Sequence, residues 1–488
     1  MLHRVASRGW SEFWELWLLG RHFIRWLGLG ALTGGLVGVV VTYFLKLLFW
    51  SIAVTTHWPA PLLWVALPFG GLLTGILIHY GAPDAAGHGT EAVIRAVHRR
   101  AGQINWKVAP IKALATITTI AAGGSAGKEG PSAQIGAAVA SALADAFHFS
   151  PDQRRRIVIC GIGAGFAAVF GTPVAGAVLG IEVLAIGDLW YDMLLPSFAA
   201  AMTAYLVAQS LGLTWVYPHP HLGLPLSIAL WVRMTALGVA CGLVAYALVI
   251  AMEAAHHVAA WLRQERRWWP PLLPLLAGAL LAGLYAAVGP QVGGLSLGLL
   301  NQALAGQPVP AAAWLEKLVA VALTLGLGMS GGIITPLFVI GATLGSALSL
   351  PLGVPLADGA AIGMMAVTAA GANAPIAAVV MGMEIFGSSL SPALLMAIVP
   401  AFILIGHHSV YPSQRIRVAK APTVPITPGV ALEDLPRQHW TTWHSGRRAN
   451  RIYRRDAAGE PVHELPPPAS AAPSPGRSPS EPPGGGTA

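Results

Sequence analysis

Apolar stretches separated by short polar segments fill most of the chain between about residues 24 and 406. Some, such as 24–52 and 227–255, are long enough for the roughly 20 residues that cross the hydrocarbon core of a bilayer. Others, such as 157–170 and 375–386, are shorter and are bounded by Gly or Pro. Short helices leave backbone groups unpaired at their ends, so a membrane tolerates them only where those ends line an internal polar cavity. The pattern predicts an all-α integral membrane protein with broken helices around a polar site.

The two ends of the chain differ from this pattern. Residues 1–23 mix charged and aromatic side chains, which predicts an amphipathic helix lying at the membrane interface. Residues 413–488 form a predicted cytoplasmic tail, and from about 464 its Pro, Ser, Gly and Ala content predicts disorder. Arg clusters in short loops, as at 154–156, are typical of the cytoplasmic side. We therefore expect cytoplasmic termini and a bacterial-type inner (plasma) membrane.

Composition agrees with a membrane location. Charged residues make up 10% of the 488 residues and hydrophobic residues 55%, whereas a soluble domain is about a quarter charged. The formal net charge of +8 fits the positive-inside bias of membrane proteins. It does not favour nucleic-acid binding, because no basic stripe with interleaved aromatic residues accompanies it.

An internal repeat connects two segments of the chain. Residues 112–137, shifted by 205 positions, fall on 317–342 with ten identical pairs out of 26. These identities include a Lys, a Ser, three Gly and a Pro, which an apolar composition alone does not readily align. The repeat therefore predicts two homologous halves rather than one continuous bundle.

A second repeated block sets the extent of the halves. Residues 173–182 match 375–384 with a shift of 202, so one connecting loop is shorter in the second copy. We assign the membrane repeats to 24–213 and 227–412. Equivalent broken helices of such halves meet at mid-membrane, where a substrate binds. Identity alone does not distinguish parallel from inverted halves.

Both repeats contain Gly-x-x-x-Pro, from Gly127 to Pro131 and from Gly332 to Pro336. Gly allows the chain to turn and Pro is favoured in the first turn of a helix, so each motif predicts a helix that begins inside the membrane. The free N–H groups and the dipole at a helix start attract an anion. Two converging starts predict a weak anion site; the alternative is that both motifs are packing kinks.

The first copy carries Glu129 at this helix start, where the second has Ile334. A carboxylate buried in a membrane is costly and marks a functional site. Its ionised form can occupy the anion site and its protonated form can leave, which makes Glu129 a candidate gate. The alternative is a static capping carboxylate.

These motifs resemble the CLC chloride channel and transporter family. The resemblance rests on Gly-Lys-Glu-Gly-Pro at 127–131 with Ser125 before it, and on Gly-Ile-Ile-Thr-Pro at 332–336 followed by Leu-Phe-Val-Ile-Gly-Ala. It covers about residues 24–412 and implies two inverted repeats, a homodimer with one pore per subunit, and Glu129 as the gate.

The resemblance also implies roles for individual residues. The backbone amides of Ile333 and Ile334 are expected to bind a central chloride, and the hydroxyl of Tyr411 to donate to the same anion. Lys112 is expected to shape the electrostatic potential of the pore. The amides beside the gate are expected to form an outer site, at Gly127, Lys128 and Gly130.

One departure from the family concerns the inner side of the site. The family's early Gly-Ser-Gly-x-Pro motif reads Gly-His-Gly-Thr-Glu at 87–91, so that His88 replaces the serine and Glu91 the proline. A neutral His can donate one N–H to an anion. The alternative is that His88 points away and only backbone amides contact the ion.

A second departure concerns protons. Exchangers of the family carry an internal glutamate after the position of Glu182, and here Val183 stands there. An apolar side chain does not relay protons, which favours channel-like or weakly proton-coupled conduction. Glu182 and its repeat counterpart Glu384 are expected to cap or bridge helices.

The sequence thus predicts chloride or related anion transport rather than an enzyme, because no clustered catalytic set is evident within the spans. A proton-coupled antiporter is the alternative and a fluoride exporter a further one. We expect anions, protons and the bilayer as partners, with no cofactor, metal or nucleic acid.

Overall fold

A computed structural model describes residues 2–218, 225–421 and 428–435. The helices of the first half are α1 Leu2–Thr56, α2 Ala60–Ile76, α3 Thr90–Arg99, α4 Val108–Ala121, α5 Glu129–Ala146, α6 Pro151–Phe170, α7 Pro173–Glu182 and α8 Leu194–Ser210. Those of the second half are α9 Ile228–Gln264, α10 Leu272–Val288, α11 Leu297–Leu304, α12 Ala313–Gly326, α13 Ile334–Leu352, α14 Leu356–Ala372, α15 Pro375–Phe386 and α16 Ser391–Leu404. Two short strands, β1 Ala185–Ile186 and β2 Arg415–Ile416, pair in parallel.

The helices of the two halves correspond in order. The bounds of α4 shifted by 205 residues are those of α12, and the starts of α5 and α13 are separated by the same interval. The starts of α7 and α15 are separated by 202 residues. The observed elements therefore follow the internal repeat that the sequence shows, including its change of interval.

Long and short helices coexist, as the apolar pattern predicts. Among the described residues, five helical segments are long and apolar enough to cross a membrane, within Leu16–Thr56, Trp64–Gly81, Tyr191–Ser210, Ile228–Gln264 and Ile334–Leu352. Most residues of α13 are buried although it is apolar enough to face lipid. A helix enclosed by protein can begin at a polar loop, because lipid does not surround its unpaired N–H groups.

Helix α1 is continuous through residue 23, where the sequence analysis separates an interfacial helix from the first repeat. No proline lies near this point and its glycines stand singly, so nothing in the chain ends the helix there. The predicted boundary at 23 is thus not a helix boundary.

The described residues after 412, which are 413–421 and 428–435, contact the preceding chain and each other. The N–H of Arg417 donates to Ile186 O at 2.9 Å, and the N–H of Leu432 donates to Gln414 O at 2.9 Å. The beginning of the predicted tail is therefore docked rather than free. The disorder predicted from about 464 falls outside the described residues.

Candidate functional site

The two Gly-x-x-x-Pro loops are in direct contact. Gly127 and Gly332, equivalent in the repeat, form an antiparallel bridge in which each N–H donates to the other's carbonyl, at 2.7 and 2.6 Å. A Cβ on Gly332 would lie 2.8 Å from Gly130 N, so the loops are too close for a side chain there. The bridge brings the starts of α5 and α13 to one place, as the anion-site hypothesis requires.

A third helix start joins them. Gly89, the residue before α3, has φ +78°, and a Cβ on it would lie 2.5 Å from Gly130 O. A Cβ on Gly130 would clash with His88 O. The loop before α3 therefore packs against the loop before α5 with no space between their backbones. Three helix dipoles have their positive ends in this region.

Glu129 rests at the start of α13. Its side chain is buried, and its Oε2 accepts N–H bonds from Thr335 and Lys128, both at 3.1 Å. The hydroxyl of Thr335 donates to the same oxygen. The carboxylate thus occupies a helix N-terminus that could hold a free anion.

The other residues of the two loops contribute through their backbones. Lys128 turns its side chain towards α1, with Nζ 5.2 Å from the centre of the Phe49 ring. Pro131 and Pro336 lie in the first turns of α5 and α13, where a missing N–H leaves no helical bond unmade. The side chains of Ile333 and Ile334 are fully buried.

On the inner side, His88 and Tyr411 face each other. Both are buried and their ring centres are 5.5 Å apart. His88 Nδ1, the Tyr411 hydroxyl and the Thr90 hydroxyl are buried atoms with no hydrogen-bond partner of standard geometry among the described residues. Buried polar atoms are nearly always paired. The Thr90 and Tyr411 hydroxyls are within reach of each other, and both can donate a hydrogen bond, as an anion site requires.

Two fully buried lysines stand behind these loops. Lys112 Nζ donates to the carbonyls of Ala85 and Gly87, at 3.0 and 2.5 Å. Its repeat counterpart Lys317 donates to three neutral oxygens. These are the carbonyls of Val292 and Gly294, both at 3.1 Å, and the hydroxyl of Ser296 at 2.9 Å. Neither makes an ion pair among the described residues. Both therefore fix loops beside the site.

Each lysine holds a loop of its own repeat, and that loop bonds to the opposite repeat. The loop that Lys317 holds accepts a bond from Ala126 N at Gly294 O, 3.3 Å. The loop that Lys112 holds accepts one from Gly331 N at Gly87 O, 3.5 Å. The repeats thus interlock beside the site.

Glu182 and Glu384 cap each other's helices. Glu182 accepts N–H bonds at the start of α15, from Ile376 at 3.0 Å and Ala377 at 2.6 Å. Glu384 does the same at the start of α7, from residues 174 and 175 at 3.0 and 2.7 Å. The expected structural role of both is confirmed.

Val183 is fully buried beside Glu182. Its carbonyl accepts a 2.8 Å bond from the side-chain amide of Gln414, three residues after Tyr411. The position of the family's internal glutamate is thus close to the Tyr411 segment but has no titratable group.

A cavity of about 590 Å³ opens beside the inner loop. Among the described residues that line it, the groups able to carry charge are His79, His88, Glu91, Arg95, His256 and Arg263. Basic residues predominate, so the cavity favours anions.

Sequence reasoning missed three residues of this region. Thr335 lies within the Gly-Ile-Ile-Thr-Pro motif, but the motif alone does not indicate that its hydroxyl contacts Glu129. Lys317 was visible as the identical partner of Lys112. Thr90 gave no signal, because its place beside Tyr411 depends on the packing of distant segments.

Comparison with known families gives a consistent result. Residues 70–406 match the model described as voltage gated chloride channel. A Pseudomonas syringae pv. tomato protein named "Chloride/fluoride channel protein" is 34% identical over 430 residues, covering 86% of this chain and 92% of that protein. An Escherichia coli protein named "Voltage-gated ClC-type chloride channel ClcB" is 30% identical over 319 residues, covering 62% of this chain and 74% of that one.

Solved structures agree with the fold. A CLC-type fluoride/proton antiporter aligns with TM-score 0.75 and 28% identity, over 80% of this chain and 98% of its own. A slow cyanobacterial Cl⁻/H⁺ antiporter aligns with TM-score 0.66 over 78% and 94%; at 19% identity it supports the fold alone.

Proposed function

The chain belongs to the voltage-gated chloride channel family, and from this premise we propose that it carries chloride across a membrane through a pathway gated by Glu129. The observation that supports this best is the Glu129 carboxylate at the start of α13, held by two backbone N–H groups and the Thr335 hydroxyl. A negative oxygen already rests where an anion would bind, so protonation of the carboxylate frees the place for chloride.

The inner part of the pathway passes between His88 and Tyr411, whose ring nitrogen and hydroxyl are buried and able to contact an anion. Amides of Ile333 and Ile334 at the start of α13 supply further donors. These are partial charges, and an ion bound only by partial charges can leave again, which transport requires.

The residue at 183 favours conduction without tight proton coupling. Val183 is buried and carries no proton, and the nearby Glu182 carboxylate is engaged in capping α15. Transport then follows the chloride gradient, with pH acting through Glu129.

The test is chloride efflux from liposomes containing the purified full chain, measured with a chloride electrode from acidic to neutral pH. Wild-type protein should conduct more at acidic pH, and Glu129→Gln should conduct at all pH values without that dependence. Glu253→Gln, at an exposed position of α9, is the matched control and should keep the wild-type profile. An unchanged profile in Glu129→Gln would remove the gate role.

Proton-coupled fluoride export is the second candidate. It is favoured by the printed names of two similar proteins, a chloride/fluoride channel protein and a fluoride/proton antiporter. The hydroxyl of Thr335 beside the gate agrees with it, because a small anion needs strong donors in place of its water shell. Fluoride efflux that exceeds chloride efflux and drives protons inwards would select this candidate.

We also propose a homodimer in a bacterial-type inner membrane with cytoplasmic termini. Helices α8 and α16 expose large apolar side chains, among them Leu195, Leu206, Leu395 and Ile403. Lipid or a second copy can cover such faces. Cross-linking in membranes through cysteines placed on α16 tests the dimer.

A further inference from the structure

Glu91 is a buried carboxylate beside the inner anion site. It lies in the first turn of α3, three residues after His88, with its side chain largely shielded from solvent. Burying a carboxylate is costly unless it is paired and hydrogen-bonded. The other chargeable residues that line the cavity are His or Arg, so a carboxylate there requires an explanation.

The contacts of Glu91 lead away from its own helix start. A carboxylate in a first turn often caps its helix, but the residue before α3 is Gly89 and no side-chain cap bond is made there. Instead, Oε2 accepts the N–H of Ser413 at 3.2 Å, and Oε1 accepts the Ser413 hydroxyl. Glu91 thus joins α3 to a segment 322 residues away.

Arg95 closes this arrangement. Its Nη2 donates to Glu91 Oε1 at 2.9 Å and its Nε to Ser413 Oγ at 3.3 Å. The three side chains form a closed set of hydrogen bonds. The arginine also balances the carboxylate, so Glu91 does not cancel the positive potential of the cavity.

The joined segments carry the two inner residues of the site. His88 lies just before α3, and Tyr411 lies two residues before Ser413. Their ring centres are 5.5 Å apart, and this separation depends on how the two segments are held together. Ser413 is supported from its other side by Glu433, whose Oε1 is 3.3 Å from the hydroxyl.

We propose that Glu91 is a positioning residue that, through Ser413, fixes Tyr411 against His88 and so sets the affinity of the inner anion site. The inference depends on the proposed anion pathway. It adds a positioning pair, Glu91 and Ser413, that acts through Tyr411.

The test measures chloride binding to the purified full chain by titration calorimetry, together with efflux from liposomes. Glu91→Gln and Ser413→Ala should each weaken chloride binding about tenfold, since a charge-assisted bond is lost in each. The double variant should be no weaker than the worse single variant, because both changes break one contact. Glu316→Gln, in the first turn of α12, is the matched control and should bind as wild type.

A second measurement distinguishes positioning from other roles: the chloride affinity of Glu91→Gln is compared in wild-type and Tyr411→Phe backgrounds. If Glu91 acts through Tyr411, Glu91→Gln should cause no further loss of affinity once the hydroxyl is gone. A loss of equal size in both backgrounds overturns the positioning role and leaves the gate unaffected. If Glu91→Gln does not fold, the smaller change Ser413→Ala supports or overturns the proposal in the same two backgrounds. A wild-type chain without chloride binding or efflux overturns the anion pathway as well.

Discussion

At the scale of single residues, the hold on Glu129 is the central feature. Three donors converge on one carboxylate oxygen in a region closed to solvent, and one of them is the Thr335 hydroxyl. Hydrogen bonds to a charged group are stronger than neutral ones and stronger still at low dielectric. The hydroxyl therefore stabilises the carboxylate in its place at the start of α13.

Thr335→Val should raise chloride efflux at neutral pH by about tenfold. The change removes one donor to the Glu129 carboxylate, worth about 1.5–3 kcal/mol. The carboxylate is then held less firmly at the start of α13 and leaves the anion site more readily. Efflux from liposomes at neutral pH measures the increase.

Thr343→Val is the matched control, because that hydroxyl lies on the same helix but donates to its own helix at Val339 O, 2.7 Å. It should leave chloride efflux at neutral pH unchanged. An equal increase in both variants would mean that the effect comes from α13 packing and not from the hydrogen bond to Glu129.

The sequence predicted residues that repeat or match a motif, such as Glu129 and Lys112. It did not predict the partners of Glu129 and Glu91, since Thr335 and Ser413 contact them across 206 and 322 residues. Pairs of this kind depend on tertiary packing, which a local pattern does not encode. The role of His88 stays a prediction, now supported by its place beside Tyr411.

At the scale of elements, α7 and α15 stabilise each other, because a glutamate of each helix caps the start of the other. Each has in its last turn a glutamate that accepts two N–H bonds at the start of the other. Both helices are short and begin with proline, so each start has few unpaired N–H groups and the partner's carboxylate takes two of them.

Glu182→Gln and Glu384→Gln should both lower the unfolding midpoint in detergent, the first by more. A carboxylate cap contributes about 0.5–2 kcal/mol, and Glu182 is the more buried of the two. Thermal unfolding followed by circular dichroism measures the shift. Glu253→Gln should show none, and a shift in that control as large as in Glu384→Gln would contradict a specific capping role.

The elements themselves were largely predictable, because glycine and proline mark the broken helices and the repeat fixes their intervals. The boundary at residue 23 was wrong as a helix boundary, since no chain-breaking signal accompanies the change in polarity there. The docking of residues after 412 was not predicted, because it uses backbone bonds to Ile186 and Gln414 that composition does not reveal.

At the scale of the whole molecule, the two repeats depend on each other at the site. The bridge between Gly127 and Gly332 and the loops held by Lys112 and Lys317 all connect one half to the other. Neither half alone contains the complete set of loops, so the mode of transport is a property of the assembled chain.

The reversal potential under a pH gradient therefore decides how the whole pathway works. Because Val183 is buried and Glu182 is engaged in a cap, no titratable group at these positions is free to connect Glu129 to the inner side. We expect the reversal potential of the reconstituted chain to follow the chloride gradient and to ignore an imposed pH gradient. Glu129→Gln should give the same potential, which makes it the internal control. A wild-type potential displaced from the chloride value, and restored to it in Glu129→Gln, would instead show that protons move with the anion by a route that does not need a carboxylate at residue 183.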